Sequence, residues 1–272
     1  MKQAMILAAG LGTRLKPLTD TMPKALVPVS GVPLLDINIR KLQSQGYDSF
    51  VVNVHHFAQQ IVDHVSRQDY APLVRFSDES SLLLDTGGAL KKAQDMFFYD
   101  EPVLIHNVDI LDNVDFDWFR HQHDDEEDAV LLVSRRQTQR YLLFDSGMHL
   151  MGWINVATGE VKSPFPWLRT AQLHFDAETL QVQVKPIVAG STTTIRSASV
   201  PQTLYAFAFS GIHSFSPRLF PLMDRFPERF SIIDFYLSVC HRSTIVGLHK
   251  PDLRILDVGK LDSLAQAEQF SF

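Results

Sequence analysis

The chain has one cysteine, Cys240, so no disulfide forms within it. Such sparing use suits a reducing compartment, and the thiol reads as a small apolar residue buried on a helix. No apolar run approaches the roughly 20 residues that a membrane-spanning helix requires. The first residues read as a strand, not as a basic stretch followed by a long apolar one, so no signal peptide is expected. Excess basic charge is missing too: the net charge is -6, against the basic surface that general nucleic-acid binding demands. Internal repeats, low-complexity linkers and the hexapeptide pattern of a β-helix are all lacking. From these absences a cytoplasmic protein that contacts neither nucleic acid nor membrane is expected. Its 272 residues, 45% hydrophobic and 21% charged, suit one large α/β domain or two small ones.

The most informative stretch is LAAGLGTRLKPLTDTMPKALVP, residues 7–28. A Gly-rich turn, an Arg and a Lys follow a short apolar strand over residues 4–7. Gly10 and Gly12 can adopt backbone conformations closed to other residues, and they place no side chain between amides and a ligand. Successive amides presented this way make a concavity suited to phosphates. Arg14 adds a planar fork for phosphate oxygens, and Lys24 a mobile point charge. The run is built to grip a nucleoside triphosphate. It is not a Walker A loop, which ends in Gly-Lys-Ser/Thr. Nor is it the dinucleotide fingerprint, because Leu15 stands where a third glycine is needed and Asn53, Val54 and His55 stand where an acid is expected.

Strand and helix patterns alternate through the first half. Strands are expected over residues 4–7, 50–54, 73–76 and 103–106. Between them, Leu35, Ile39 and Leu42 mark one helical face, Phe57, Ile61 and Val65 a second, and residues 88–97 a third. Such β-α units imply an α/β fold with a mostly parallel twisted sheet covered by helices. Ligands bind outside the carboxyl ends of such strands, and both the Gly10 loop and Asp109 fall there. The second half is less regular. Strands are expected over 130–134, 141–144, 151–155, 204–209 and 244–248, with a turn at Ser210-Gly211 and helices over 218–224 and 232–240. Residues 163–203 are rich in Pro, Thr and Ser and suit a hairpin or a long loop. His55-His56 and His121-x-His123 lack a cysteine or third ligand at zinc spacing and read as ordinary polar positions.

The run over residues 7–19, continued by PKALVPVSGVPL over 23–34, resembles the opening motif of the sugar-1-phosphate nucleotidyltransferases. Weaker similarity continues through Asp85-Thr86-Gly87-Gly88, Asn107-Val108-Asp109, Phe209-Ser210-Gly211-Ile212 and Leu256-Asp257-Val258-Gly259. Among family members the chain is most similar to the short bacterial enzymes acting on N-acetylmuramate 1-phosphate or mannose 1-phosphate. The resemblance implies a Rossmann-like fold with residues 1–115 as a nucleotide-binding half and 116–272 as a sugar-phosphate-binding half of one domain. It implies an enzyme that joins an NTP to a sugar 1-phosphate with release of pyrophosphate, as a monomer or homodimer. Arg14 and Lys24 would steady the phosphates as catalytic residues. Ala8, Ala9, Gly10, Gly12, Thr13, Gly87 and Gly88 would bind the nucleotide. Asn155, Lys185, Ser210 and Gly211 would line the sugar-phosphate pocket. Asp109 and Asp257 would hold Mg²⁺, which takes hard oxygen ligands from one or two carboxylates plus substrate phosphates. At Asp257 the chain departs from the family, with Ile255 for Trp and Lys260-Leu261 for Thr-Pro. Two alternatives stay open: a homologue that binds nucleotide sugars without turnover, and a choline-phosphate cytidylyltransferase.

Overall fold

The computed structural model describes residues 1–185 and 201–270. Contacts within the chain separate two compact units. The first comprises Met1–Asp125, Gly211–Ile232 and Asp252–Phe272; the second comprises Glu126–Ser210 and Ile233–Pro251.

In the first unit four parallel strands lie in the order Val103–Asn107, Lys2–Leu7, Tyr47–Val54, Val74–Asp78. Helices Leu34–Ser44 and Ala58–Val65 provide the crossovers between the last three of these strands. Strands covered on both faces need near-continuous apolar sequence, and Met5, Ile6, Phe50, Val52 and Ile105 are indeed buried. Each such side chain contributes about 1.5–3 kcal/mol when removed from water. Helix Leu34–Ser44 buries Leu35, Ile39 and Leu42 at the expected spacing, and its buried face also carries Asn38. A short antiparallel ribbon pairs Ile255–Asp257 with Ile110–Asp112 and sets Asp257 opposite Ile110.

The second unit is mainly antiparallel. Arg140–Phe144 pairs with Leu150–Asn155, and Gln172–Asp176 forms a hairpin with Gln181–Lys185. Its core gathers Tyr141, Leu143, Leu168, Val182 and Leu204. One parallel pair, Ala129–Ser134 with Ile245–His249, completes it.

Two local expectations are corrected. No turn occurs at Ser210-Gly211: the strand runs unbroken over Thr203–Phe215. Gly211 takes a φ of 78° within it, a conformation open to glycine that does not end the strand. The helix expected over 88–97 instead spans Asp85–Lys92, and Gln94–Met96 forms a separate short turn. Of the stretch 163–203, residues 172–185 form the hairpin; 186–200 lie outside the described residues.

Candidate active site

The Gly10 loop leaves the end of Lys2–Leu7, and a relay of side chains fixes its start. The Ala8 amide donates to Asn53 Oδ1 at 2.6 Å, and Asn53 Nδ2 donates to Glu79 Oε1 at 2.7 Å. The other Glu79 oxygen accepts from the Leu84 amide at 3.0 Å. Glu79 is fully buried, so these bonds offset a desolvation cost that would otherwise be prohibitive. Beyond Ala8, the amides of residues Ala9 to Thr13 find no acceptor among the described residues. They are the free donors that a phosphate would take up.

The two glycines of this loop do different jobs. Gly12 has φ 63°, and a Cβ there would lie 2.8 Å from Thr19 Cγ2, so it is required by the fold. A Cβ on Gly10 would meet nothing within 4 Å; its small size leaves open space on the ligand side.

Lys24 sits in the Lys24–Leu26 turn and ion-pairs with Asp109; both side chains are largely buried. Three consecutive carbonyls hold the Asp109 loop. A His106 ring nitrogen lies 2.8 Å from the Asn107 oxygen, Asn38 Nδ2 donates to Val108 O at 2.8 Å, and the Val258 amide donates to Asp109 O at 2.8 Å. Beneath the loop, fully buried Asp112 accepts from Lys41 Nζ and from the Val114 amide at 2.8 Å, with His106 Nε2 at 3.1 Å. Burial acts against charge on both members of the Lys41–Asp112 pair. At Asp112 it is outweighed by His106 and Lys41, which keep the carboxyl below its ordinary range. At Lys41 burial prevails and holds the ammonium below its ordinary range, with Asp112 as its partner.

Arg14 packs elsewhere in the unit. Its guanidinium lies 3.9 Å from the Asp257 carboxylate and against Gly259, with both charged side chains about half exposed. Asp257 also accepts from the Gly259 amide at 2.8 Å. An exposed pair of this length contributes little to stability, which leaves both groups available to a ligand.

A cavity of about 250 Å³ opens at the strand ends, lined by Ala9, Gly10, Lys24, Asn53, Glu79, Asp85, Asp109 and Arg229 among others. It gathers four of the residues singled out from sequence: Ala9, Gly10, Lys24 and Asp109. Ala8 is buried and Gly12 partly so, both outside the lining, while Thr13 and Arg14 stand exposed on the turn Thr13–Leu15. Gly87 and Gly88 are buried in the first turn of Asp85–Lys92, and their amides donate to Phe230 O at 2.9 and 3.2 Å. Their lack of a side chain serves close packing. In the second unit, Asn155 Oδ1 accepts from the Ala157 and Thr158 amides and so shapes a turn. Lys185 is exposed at a strand end, and the buried Ser210 hydroxyl has no hydrogen-bond partner among the described residues. Gly211 passes close to Asn107: a Cβ there would stand 2.8 Å from Asn107 Nδ2.

Three polar lining residues belong to none of the motifs: Asn53 stands where the dinucleotide fingerprint wants an acid, and Glu79 and Arg229 fall in no recognised spacing. Asp85 has φ 62°, unusual for a residue with a side chain, and its carboxylate accepts from the Thr86 amide at 2.6 Å.

The donor set suits a hard divalent cation. Asp109 and Asp257 are carried by adjacent segments of one ribbon and offer oxygen ligands only. Among the described residues no three His, Cys, Asp or Glu side chains converge. A cation here needs further ligands from substrate phosphates, which is the usual situation for Mg²⁺ and unlike a closed zinc site.

The nucleotidyl transferase family model matches residues 3–142. The N-acetylmuramate alpha-1-phosphate uridylyltransferase of Caulobacter vibrioides is 40% identical over 123 residues, 44% of this chain and 48% of its own length. That of Neisseria meningitidis is 36% identical over 115 residues, 42% of this chain and 49% of its own. The chain thus spans about half the length of these relatives. HddC from Yersinia pseudotuberculosis, crystallised with GMP-PN, superposes with a TM-score of 0.62 over 99% of both chains at 21% identity, so the two share a fold. No described helix is long and apolar enough to cross a membrane.

Proposed function

Because the chain belongs to the nucleotidyl transferase family, we propose that it transfers a nucleotidyl group from an NTP to a sugar 1-phosphate. A phosphate oxygen of the sugar 1-phosphate attacks the α-phosphorus, the bond from that phosphorus to the bridging oxygen breaks, and pyrophosphate leaves. One observation carries this reading most directly. The free amides of the Gly10 loop and the Lys24–Asp109 pair meet in one cavity at the carboxyl ends of a parallel sheet. Such chemistry needs little covalent help from a protein; it needs two anions brought together, aligned and neutralised.

In this reading the amides from Ala9 to Thr13 cradle the triphosphate. Lys24, whose charge is matched by Asp109 in the free protein, turns to the reacting phosphates when they arrive. Arg14 lies beside Asp257 and meets phosphate oxygens at the loop's outer side. Asp109 and Asp257 are the residues that would hold Mg²⁺, which when bound neutralises charge on the phosphates. Uridylyl transfer to N-acetylmuramate 1-phosphate is the pairing that the names of the two relatives support. Guanylyl transfer to mannose 1-phosphate is the rival within the same chemistry.

A pyrophosphate-release screen tests this. ATP, CTP, GTP and UTP are crossed with N-acetylmuramate, mannose and glucose 1-phosphates in Mg²⁺. Release is expected with UTP and N-acetylmuramate 1-phosphate. Release with another pair corrects the substrates; no release with any pair overturns the proposal.

A further inference from the structure

The cavity takes one wall from a segment far along the chain. Glu228–Ile232 is docked on Leu84–Gly88 by four hydrogen bonds. Gly87 and Gly88 both donate to Phe230 O, the Phe230 amide donates to Leu84 O at 3.2 Å, and the Ile232 amide donates to Thr86 Oγ1 at 2.9 Å. The docking depends on the two glycines. A Cβ on Gly87 would drive into the Phe230 ring, and one on Gly88 into the Glu228 carbonyl oxygen. Thr86-Gly87-Gly88 is thus a seat for this segment, and what the segment brings to the cavity is Arg229.

The charges of the lining single this residue out. Lys24 is neutralised by Asp109, Glu79 is engaged by Asn53 and the Leu84 amide, and Asp85 by the Thr86 amide. Arg229 is exposed and has no carboxylate partner among the described residues. Beside the neutral amides of the Gly10 loop, the lining sets three carboxylates against one paired lysine, so a polyanion calls for a further cation, and a planar guanidinium is the side chain best shaped for phosphate oxygens.

We propose that Arg229 is a phosphate-binding residue of the nucleotide site, placed there by the docking of Glu228–Ile232 on Thr86-Gly87-Gly88. This rests on the nucleotidyl-transfer reading and extends it to a residue outside every motif of the chain.

Binding of UTP and of uridine to wild type, Arg229→Ala and Arg229→Lys is measured by calorimetry and NMR titration in Mg²⁺. Arg229→Ala is expected to weaken UTP about ten- to a hundredfold, the loss of a charge-assisted pair, while changing uridine less than about twofold. Arg229→Lys should recover part of the UTP affinity, since it keeps the charge but not the fork. The melting temperature should stay within about a degree or two, as for other exposed positions. Unchanged UTP affinity, or an equal loss for uridine, overturns the assignment while leaving nucleotidyl transfer intact. A wild-type protein that binds no NTP at all sinks both.

Discussion

Gly88→Ala separates two opposite expectations. Considered as a helix residue, Gly88 is a poor choice, and alanine would stabilise Asp85–Lys92 by about 0.5–1 kcal/mol. Considered as a seat, it cannot be replaced. The new methyl would overlap the Glu228 carbonyl oxygen and stand 3.0 Å from Leu84 Cβ. The obstacle is backbone, so a rotamer change does not relieve it. Either the helix or the Glu228–Ile232 segment must move, and the two bonds to Phe230 O stretch or break. Each such bond contributes about 1 kcal/mol, and overpacking adds about 1–3 kcal/mol. After subtracting the helical gain, the net loss is about 2–4 kcal/mol. At roughly 2–4 °C per kcal/mol for a chain of this size, the melting temperature should fall by about 5–15 °C. Calorimetry gives the midpoint, and a UTP titration of the folded variant reports whether Arg229 has moved with its segment. A variant as stable as wild type, or more stable, with unchanged UTP affinity would refute the seat.

Asp109→Asn keeps the shape of the side chain but removes the charge that faces Lys24. Turnover should fall at least about a hundredfold if a bound cation supplies several kcal/mol, and an active, folded variant in the pyrophosphate assay excludes Asp109 as its ligand. His213 gives a pH dependence. Burial pushes its imidazole down to about 3 from an ordinary value of 6.5, so between those limits the unfolded chain takes up a proton that the folded protein refuses. Stability is therefore fully present above 6.5 and is lost as pH falls towards 3, by about 1.4 kcal/mol per pH unit. Urea midpoints at pH 7 and pH 5 should show this loss, about 2 kcal/mol, in wild type and not in His213→Leu; equal losses in both would assign the acid sensitivity to other groups.

Much of the site was legible because its parts obey local rules. Gly10, Gly12 and Lys24 lie within one short run, and Asp109 follows an apolar strand, so chain order alone put them at the same edge of a parallel sheet. The faces carrying Leu35, Ile39 and Leu42, or Ile61 and Val65, were readable for the same reason. What stayed hidden depends on distant partners. Arg229 reaches the cavity through bonds spanning most of the chain, such as Ile232 to Thr86, 146 residues apart. Glu79 is explained only by Asn53 and Leu84, and Asn53 by the Ala8 amide. Gly211 looked like a turn, because a glycine after an apolar strand usually ends it; here the strand continues and Asn107 packs where a side chain would be. The contact of Gly87 and Gly88 with Phe230 was equally hidden, because both amides bond a carbonyl more than 140 residues away.

The central claim is that an NTP held by the Gly10 loop is attacked at its α-phosphorus by a sugar 1-phosphate. The most direct test uses N-acetylmuramate 1-phosphate carrying ¹⁸O in its phosphate, incubated with UTP, Mg²⁺ and the protein, with products resolved by ³¹P NMR and mass spectrometry. All of the label should remain in the nucleotide sugar, the pyrophosphate should be unlabelled, and both products should vanish with Lys24→Ala. Label appearing in pyrophosphate or inorganic phosphate, or UTP consumed without a nucleotide sugar, would contradict it.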